Sequence, residues 1–118
     1  MEFDSILVLC TGNICRSPMA EALLKQYFPT KTVMSAGLED LGGQPADEHA
    51  VQLMQQMDID ISTHCSQQVN TALLKQADLI FVMTKRQLRL LEKQWPFVRG
   101  KSFLLGHWQQ QEIPDPYQ

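Results

Sequence analysis

The sequence has few cysteines, no excess of positive charge and no long hydrophobic run. Its three cysteines are an odd number without the spacing of a disulfide framework, which favours a reduced protein of the cytoplasm. Ten basic and thirteen acidic side chains give a net charge of -3, so a general nucleic-acid binder is not expected. The longest apolar runs, 6–10 and 79–83, are far shorter than the ~20 residues that span a bilayer. We therefore expect no membrane insertion, and the short acidic segment 1–5 does not resemble a secretory signal.

The composition is that of one folded domain. Hydrophobic residues make up 44% of the 118 residues and charged residues 19%, which is typical of a globular protein rather than a disordered one. No internal repeat, low-complexity tract or linker divides the chain. Residues 1–118 are therefore predicted to form a single domain with one hydrophobic core.

Short apolar runs alternate with helical patterns along the chain. Buried strands are predicted at 3–9, 31–36, 78–83 and 101–105, and helices at 17–28, 46–57, 70–76 and 84–94. This alternation predicts an α/β fold with a four-stranded parallel sheet and flanking helices. Ligands of such sheets bind beyond the carboxyl ends of the strands.

Capping residues and apolar spacing predict where the helices begin and which of their side chains face the core. Ser17, Thr84 and either Asn70 or Thr71 are expected to cap helices. The residues expected to face the core are Met19, Leu23, Leu24 and Tyr27 or Phe28 in the first helix, and Ala50, Val51, Leu53, Met54 and Met57 in the second.

The loop after the first strand is the segment most suited to chemistry. It reads Cys10-Thr-Gly-Asn-Ile-Cys-Arg16-Ser17 and joins a buried strand to a helix. Backbone N–H groups that curl in front of a helix form a cradle for an anion, and the guanidinium of Arg16 can bind two phosphate oxygens at once. Gly12 permits close approach of the backbone, and Asn13 tolerates a left-handed conformation. The predicted phosphate-binding loop comprises Thr11, Gly12, Asn13, Ile14, Cys15 and Ser17.

Cys10 is the candidate nucleophile of this loop. A helix N-terminus and an arginine favour the thiolate form of a nearby cysteine, and the hydroxyl of Ser17 can donate a hydrogen bond to it. A thiolate that faces a bound phosphate can attack phosphorus in line. The alternative is that Cys10 is a small buried hydrophobe and Arg16 a surface charge. The position of the pair between a buried strand and a Ser-Pro helix start favours the catalytic interpretation.

Several motifs together resemble the low-molecular-weight protein tyrosine phosphatase family. They are the segment 8–21, Ser35-Ala36-Gly37, His64 and Asp115-Pro116-Tyr117, so the resemblance extends over the whole chain. The surroundings of His107 and of Asp115 are most similar to bacterial members associated with capsule and exopolysaccharide production. Those members act on membrane tyrosine autokinases.

The resemblance implies a two-step mechanism with Cys10, Arg16 and Asp115 as the catalytic residues. Cys10 attacks phosphorus and forms a phosphocysteine. Asp115 protonates the leaving phenolate and then activates water. The alternative for Asp115 is a turn residue in a rigid Pro-Asp-Pro loop. No metal or organic cofactor is implied, since the thiolate and the cradle supply the charge stabilisation.

The resemblance also implies a supporting hydrogen-bond network under the loop. Ser35 and His64 would join Asn13 and Ser17 in it. The alternatives are an ordinary strand-end hydroxyl for Ser35 and a core histidine for His64.

Substrate preference is implied by residues around the loop. The apolar Ile14 favours an aryl phosphate, since threonine there accompanies arginine phosphatases in the family. Leu41 and Tyr117 would form the walls of the substrate cleft, with Leu41 replacing a frequent aromatic residue. Family members usually continue into a C-terminal helix, whereas this chain ends at Gln118, so that helix is expected to be absent.

The other cysteines and one basic helix face leave alternatives open. Cys15 would either form a reversible disulfide with Cys10, as in related enzymes, or pack as a small residue. Cys65 is expected to be a packing residue. A cluster on one helix is either a solvated face or a grip for an acidic or phosphorylated partner segment, and it consists of Lys85, Arg86 and Arg89.

Three functions compete at this point. The first is a cytoplasmic phosphatase that acts on a phosphotyrosine protein, with phosphate and other oxyanions as ligands. The second is an arsenate reductase on the same fold, which would need two further resolving cysteines, while only Cys65 lies downstream of the loop. The third is a phosphoprotein-binding module that has lost turnover. The joint presence of Cys10 and Asp115 favours the first.

Overall fold

A computed structural model of the chain describes residues 3–12, 16–39 and 42–105, and it confirms the α/β architecture. The strands are β1 Ser5–Cys10, β2 Thr32–Gly37, β3 Leu79–Val82 and β4 Ser102–Leu104. They form one four-stranded parallel sheet in the order β2-β1-β3-β4. The helices are α1 Arg16–Tyr27, α2 Glu48–Gln55, α3 Thr71–Gln76 and α4 Lys85–Gln94, and the short 3-10 turn Pro96–Val98 follows α4.

Helices cover both faces of the sheet, which explains why β1 is buried along its whole length. On one face, the alternate side chains of Ile6, Val8 and Cys10 share a cluster with Ala20 of α1. The other face is covered by α3 and α4, and its cluster includes Leu7, Leu9, Leu74, Ile80 and Leu91. A third cluster joins α1 to α2. No helix in the described ranges has the length and apolar character needed to cross a membrane.

The carboxyl ends of the strands meet at one edge of the sheet. Cys10, the last residue of β1, pairs in register with Gly37 of β2. The backbone N–H of Leu38 donates to the Cys10 carbonyl at 2.9 Å, and that of Glu39 donates to the Thr11 carbonyl at 2.8 Å. The chain that leaves β1 is therefore tied to the chain that leaves β2.

Two of the predicted helix caps are confirmed, and one is wrong. Asn70 accepts the N–H of Leu73 at 2.9 Å, and Thr84 caps α4. Ser17, predicted as a cap, is instead the second residue of α1, because the helix begins at Arg16. Its hydroxyl is consequently directed toward Cys10.

The helix α2 is shorter than predicted. Asp47 caps it by accepting the N–H groups of His49 and Ala50, so it begins at Glu48 rather than at 46. It ends at Gln55, which leaves Met57 beyond its last turn.

Several side chains expected to pack in the core are exposed. Leu53 and Met57 are 40% and 56% exposed, because Ala50 and Met54, one helical turn apart, form the inner face of α2. Tyr27 is 76% exposed since it is the last residue of α1. Cys65 is exposed as well, in an isolated bridge that pairs its backbone with Pro45. Phe28, the predicted alternative to Tyr27, is exposed as well, at 36%, whereas the remaining predicted inward residues of these helices are buried or partly buried.

Candidate active site

Cys10 is the last residue of β1, an inner strand of the sheet, and contacts the first turn of α1. It is only 5% exposed, and its Sγ is 2.9 Å from the Oγ of Ser17, which is completely buried in the first turn of α1. The first N–H groups of a helix have no acceptor within the helix and carry a partial positive charge. A hydroxyl at this distance can donate to an ionised sulfur. The sequence prediction that Ser17 serves Cys10 thus has a matching geometry.

Arg16 opens α1 and lines a cavity of about 300 Å³. The cavity lies between the chain after β1, the chain after β2 and the start of α4. Its other lining residues are Thr11, Leu38, Glu39, Thr84, Arg86, Gln87 and Leu90. A guanidinium in such a cavity can bind an oxyanion held by the loop. The cavity is also at the sheet edge where the topology predicts a ligand.

Gln87, in the first turn of α4, contacts the loop at Thr11, and the sequence analysis did not predict this contact. Its side-chain Nε2 donates to Thr11 Oγ1 at 3.2 Å, although the two residues are 76 positions apart. Gln87 is buried, with 6% exposure. The pattern Thr84-x-x-Gln87 is a capping-box signature and predicts a buried glutamine at the start of a helix, but not the contact with the loop.

Ser35 and His64 line a second cavity, of about 460 Å³, on the α1 side of β2. The Ser35 hydroxyl donates to the carboxylate of Glu21, whose other oxygen accepts from Lys25 Nζ at 2.7 Å. The backbone N–H of His64 donates to the Ile61 carbonyl at 3.1 Å. The structure thus brings Ser35 and His64 to one cavity.

Glu21 joins this network without having been predicted. It stands one helical turn after Ser17 and one turn before Lys25, so it shares a side of α1 with both. That spacing is the sequence signal that could have pointed to Glu21. A carboxylate at such a position is more often a surface ion pair, and only the tertiary contact with Ser35 distinguishes it.

The carboxyls with resolved pKa shifts lie outside the Cys10 loop. The pKa of Asp60, which lines the larger cavity, is lowered by the hydroxyl and then the backbone N–H of Ser62. The pKa of Asp78 is lowered by the backbone N–H groups of Asp4 and Ser5 at the amino end of the sheet. Both pKa shifts are caused first by hydrogen bonds away from the Cys10 loop.

Several predicted site residues lie outside the described residues and remain predictions. Among them are Asp115 as the acid and base and Cys15 as a disulfide partner of Cys10. The others are Asn13, Ile14, Leu41 and Tyr117. Within the part of the chain that the structure describes, no group of three histidine, cysteine, aspartate or glutamate side chains could hold a metal ion.

The basic residues at the start of α4 are solvent-exposed, which agrees with the prediction of a solvated face. Lys85, Arg86 and Arg89 all fall in this class. Arg86 also lines the cavity of Arg16, so the alternative prediction, a grip for an acidic partner segment, remains open.

Comparison with protein families gives one match that covers almost the whole chain. Residues 5–118 match the model of the low molecular weight phosphotyrosine protein phosphatase family. The chain is 55% identical over 118 residues to the low molecular weight protein-tyrosine-phosphatase Ptp of Acinetobacter johnsonii, and spans 100% of itself and 83% of that protein. It is 47% identical over 116 residues to Wzb of Salmonella typhimurium, and there it spans 98% of itself and 78% of the relative.

Solved structures of similar proteins share the fold. The tyrosine phosphatase amsI of Erwinia amylovora superposes with a TM-score of 0.92 at 44% identity, over 99% of this chain and 78% of that one. Wzb of Escherichia coli in complex with sulphate gives a TM-score of 0.92 at 42% identity, over 99% of this chain and 82% of that one. The YwlE arginine phosphatase of Geobacillus stearothermophilus gives a TM-score of 0.88 at 32% identity, over 98% of this chain and 77% of that one.

Proposed function

The chain belongs to the low molecular weight phosphotyrosine protein phosphatase family, and we propose that it hydrolyses protein phosphotyrosine through a phosphocysteine on Cys10. The observation that carries this proposal is the buried contact of Cys10 Sγ with Ser17 Oγ, at 2.9 Å. A lone buried cysteine needs no such partner. A nucleophilic one does, because the donated hydrogen bond stabilises the thiolate.

The first step transfers the phosphoryl group to sulfur. The phosphate sits in the loop 10–17, with its oxygens on backbone N–H groups and on the guanidinium of Arg16. The Cys10 thiolate attacks phosphorus, the S–P bond forms, and the bond from phosphorus to the tyrosyl oxygen breaks. Asp115 gives its proton to that oxygen, so tyrosine leaves neutral.

The second step regenerates the enzyme. Asp115, now a carboxylate, takes a proton from water, and the water oxygen attacks phosphorus. The S–P bond breaks and inorganic phosphate leaves. The hydrogen bond from Ser17 stabilises the departing thiolate of Cys10, just as it stabilises the attacking one in the first step.

The preferred phosphoryl group is one carried by an aryl oxygen. Ile14 and Tyr117 support this preference, since both are apolar or aromatic groups suited to a phenyl ring. The relatives named tyrosine phosphatases are 42% to 55% identical to the chain, whereas the arginine phosphatase YwlE is 32% identical. Phosphoarginine is therefore the natural comparison substrate.

The proposed partner is a membrane tyrosine autokinase of capsule or exopolysaccharide production, encountered in the cytoplasm. Similarity to Wzb and EpsP supports this context. The three cysteines of the sequence lack the spacing of a disulfide framework, which supports a reducing compartment. The phosphorylated tail of such a kinase would reach the cavity of Arg16.

The test is steady-state hydrolysis of a phosphotyrosyl peptide, a phosphoarginyl peptide and p-nitrophenyl phosphate by the chain and by Cys10→Ser. We expect turnover of the two aryl phosphates, with little for phosphoarginine, and loss of all turnover in Cys10→Ser. Cys65→Ser is the matched control, because Cys65 is exposed and distant in the chain from the loop. It should retain the activity of the unmodified chain.

Other outcomes would identify the competing functions. Phosphate binding without turnover in the unmodified chain would indicate a phosphoprotein-binding module. Arsenate reduction coupled to a thiol reductant, with no phosphatase activity, would indicate a reductase. Preference for phosphoarginine would contradict the role assigned to Ile14.

A further inference from the structure

The side-chain amide of Gln87 makes three hydrogen bonds at the boundary between α4 and the phosphate loop. Its Oε1 accepts the backbone N–H groups of Met83 at 2.8 Å and Thr84 at 3.2 Å. Its Nε2 donates to Thr11 Oγ1 at 3.2 Å. Since two N–H donors fix the position of the oxygen, the amide nitrogen is the atom that faces Thr11.

The first two of these bonds need only an acceptor at position 87. In a capping box the third helical residue returns an acceptor to the cap, and glutamate does this as well as glutamine. Glutamate would also suit the positive end of the helix dipole, where α4 has no acidic residue in its first turn. What a carboxylate lacks is an N–H donor. The amide at this position is therefore explained by its contact with Thr11.

Thr11 is the first residue after Cys10 and is held from two sides. Its carbonyl accepts the N–H of Glu39, in the chain after β2, at 2.8 Å. Its hydroxyl accepts from Gln87, in the helix after β3. The loop thus begins between two fixed supports, and both Thr11 and Gln87 line the cavity of Arg16.

We propose that Gln87 is a positioning residue of the phosphatase reaction, because its side-chain amide holds Thr11 and, through Thr11, the phosphate loop. This inference rests on the proposed function. Gln87 acts through Thr11 and need not touch the substrate. The loop N–H groups must point at the phosphoryl oxygens, and small displacements of such groups lower the rate strongly.

The test removes each partner of the contact without adding charge. Thr11→Val keeps the shape and loses the acceptor, whereas Thr11→Ser keeps the hydroxyl. Gln87→Met keeps the length and loses the amide. Asn70→Ala is the matched control, because it removes the cap of α3, where the Asn70 side chain accepts the N–H of Leu73 within the same helix.

The measured quantities are kcat and KM for p-nitrophenyl phosphate, the phosphate dissociation constant by calorimetry, and the urea midpoint. We expect Thr11→Val and Gln87→Met each to lower kcat/KM about tenfold, as loss of one hydrogen bond implies. Both should also weaken phosphate binding. Thr11→Ser, which keeps the hydroxyl that accepts from Gln87, should lose clearly less than Thr11→Val in both quantities. The double variant Thr11→Val/Gln87→Met should lose no more than the larger single loss.

A merely structural role would give a different pattern. Asn70→Ala lowers the urea midpoint and leaves kcat/KM unchanged, and Gln87→Met would then behave in the same way. That result, or independent losses that multiply in the double variant, would overturn the inference. If Gln87→Met does not fold, the comparison of Thr11→Val with Thr11→Ser tests the inference by itself.

Failure of the proposed function is distinguishable from failure of this inference. If the unmodified chain binds phosphate without turning over any phosphate ester, the proposed function fails, and the dissociation constants of the variants decide the role of Gln87. If the unmodified chain binds no phosphate, there is no phosphate loop to position, and the inference is overturned.

Discussion

The amino and carboxyl ends of the sheet both carry polar side chains, but those side chains serve different purposes. At the amino end Asp78 accepts the backbone N–H groups of Asp4 at 2.8 Å and Ser5 at 3.1 Å. Lys101 donates to two backbone carbonyls at the end of α3, each at 2.7 Å. These bonds satisfy the backbone where the strands begin.

At the carboxyl end the polar side chains surround a thiol and a cavity. Ser17 faces the sulfur of Cys10, and Arg16 and Gln87 line the cavity next to it. The two ends of one sheet thus separate stability from chemistry, since ligands of parallel α/β sheets bind at the carboxyl ends of the strands. Substitutions at the amino end should therefore change stability, and those at the carboxyl end should change turnover.

Among the substitutions that compare the two ends of the sheet, Arg16→Lys should have the largest effect. Lysine keeps the charge but cannot bind two phosphoryl oxygens with one planar group, so kcat should fall about 100- to 1000-fold. Steady-state kinetics with p-nitrophenyl phosphate measure it. The control is Arg99→Lys, at an exposed position after α4, which should not change kcat. An unchanged kcat in Arg16→Lys would remove Arg16 from the catalytic residues.

Two buried serines provide a matched pair for the comparison. Ser17→Ala removes the donor to the Cys10 thiolate and should lower kcat/KM about 10- to 100-fold, the value of a hydrogen bond to a charged group. Ser5→Ala makes the same chemical change at the amino end, where the Ser5 hydroxyl donates to the Gln76 carbonyl at 2.8 Å. It should lower the urea midpoint and leave kcat/KM unchanged. Equal effects of the two on kcat/KM would contradict the separation of the two edges.

Lys101→Met should destabilise the fold without changing the chemistry. The Lys101 ammonium donates to the carbonyls of Leu74 and Ala77, which end α3, and such charged hydrogen bonds contribute about 1.5–3 kcal/mol. Urea denaturation measures the loss in the free energy of unfolding. Turnover at a temperature where the variant stays folded should equal that of the unmodified chain. A fall in kcat there would show that the amino edge influences the site.

Asp78→Asn should give the smallest effect, and one that depends on pH. Backbone N–H groups of Asp4 and Ser5 lower the pKa of Asp78, so the folded state favours the carboxylate. Its stabilising contribution is therefore present at neutral pH and is lost as the pH falls below the usual aspartate value of 3.8. The melting temperature of Asp78→Asn should lie below that of the unmodified chain at neutral pH, and the gap should narrow toward pH 3. A gap that does not change with pH would contradict this account.

The sequence predicted the fold well because its signals are local. Continuous apolar runs marked β1 and β3, and Asn70 and Thr84 marked two helix starts by their capping chemistry. The same signals failed where a tertiary contact decides. Ser17 is a good cap by type, yet it lies inside the helix, where its hydroxyl contacts Cys10.

From spacing alone, the site was predictable only where it is contiguous in the chain; Ser35, His64 and Asp115 were predicted from the family resemblance. Cys10, Arg16 and Ser17 stand within one loop and helix start, so their chemistry could be inferred from spacing. Gln87 could not be found in this way, because a capping-box pattern gives no information about a loop 76 residues earlier in the chain. Leu53 was assigned to the core because an apolar residue on a short helix has several possible inner faces, and packing selects one.

The central claim is that phosphoryl transfer passes through the sulfur of Cys10, and rapid-quench trapping tests it most directly. The chain is mixed with a radiolabelled phosphotyrosyl peptide, stopped by denaturation within the first turnover, and digested to locate the label. We predict a transient label on the peptide that contains Cys10, and none in Cys10→Ser, which should still bind phosphate in the loop. Label on another residue, or undiminished turnover in Cys10→Ser, would contradict the account.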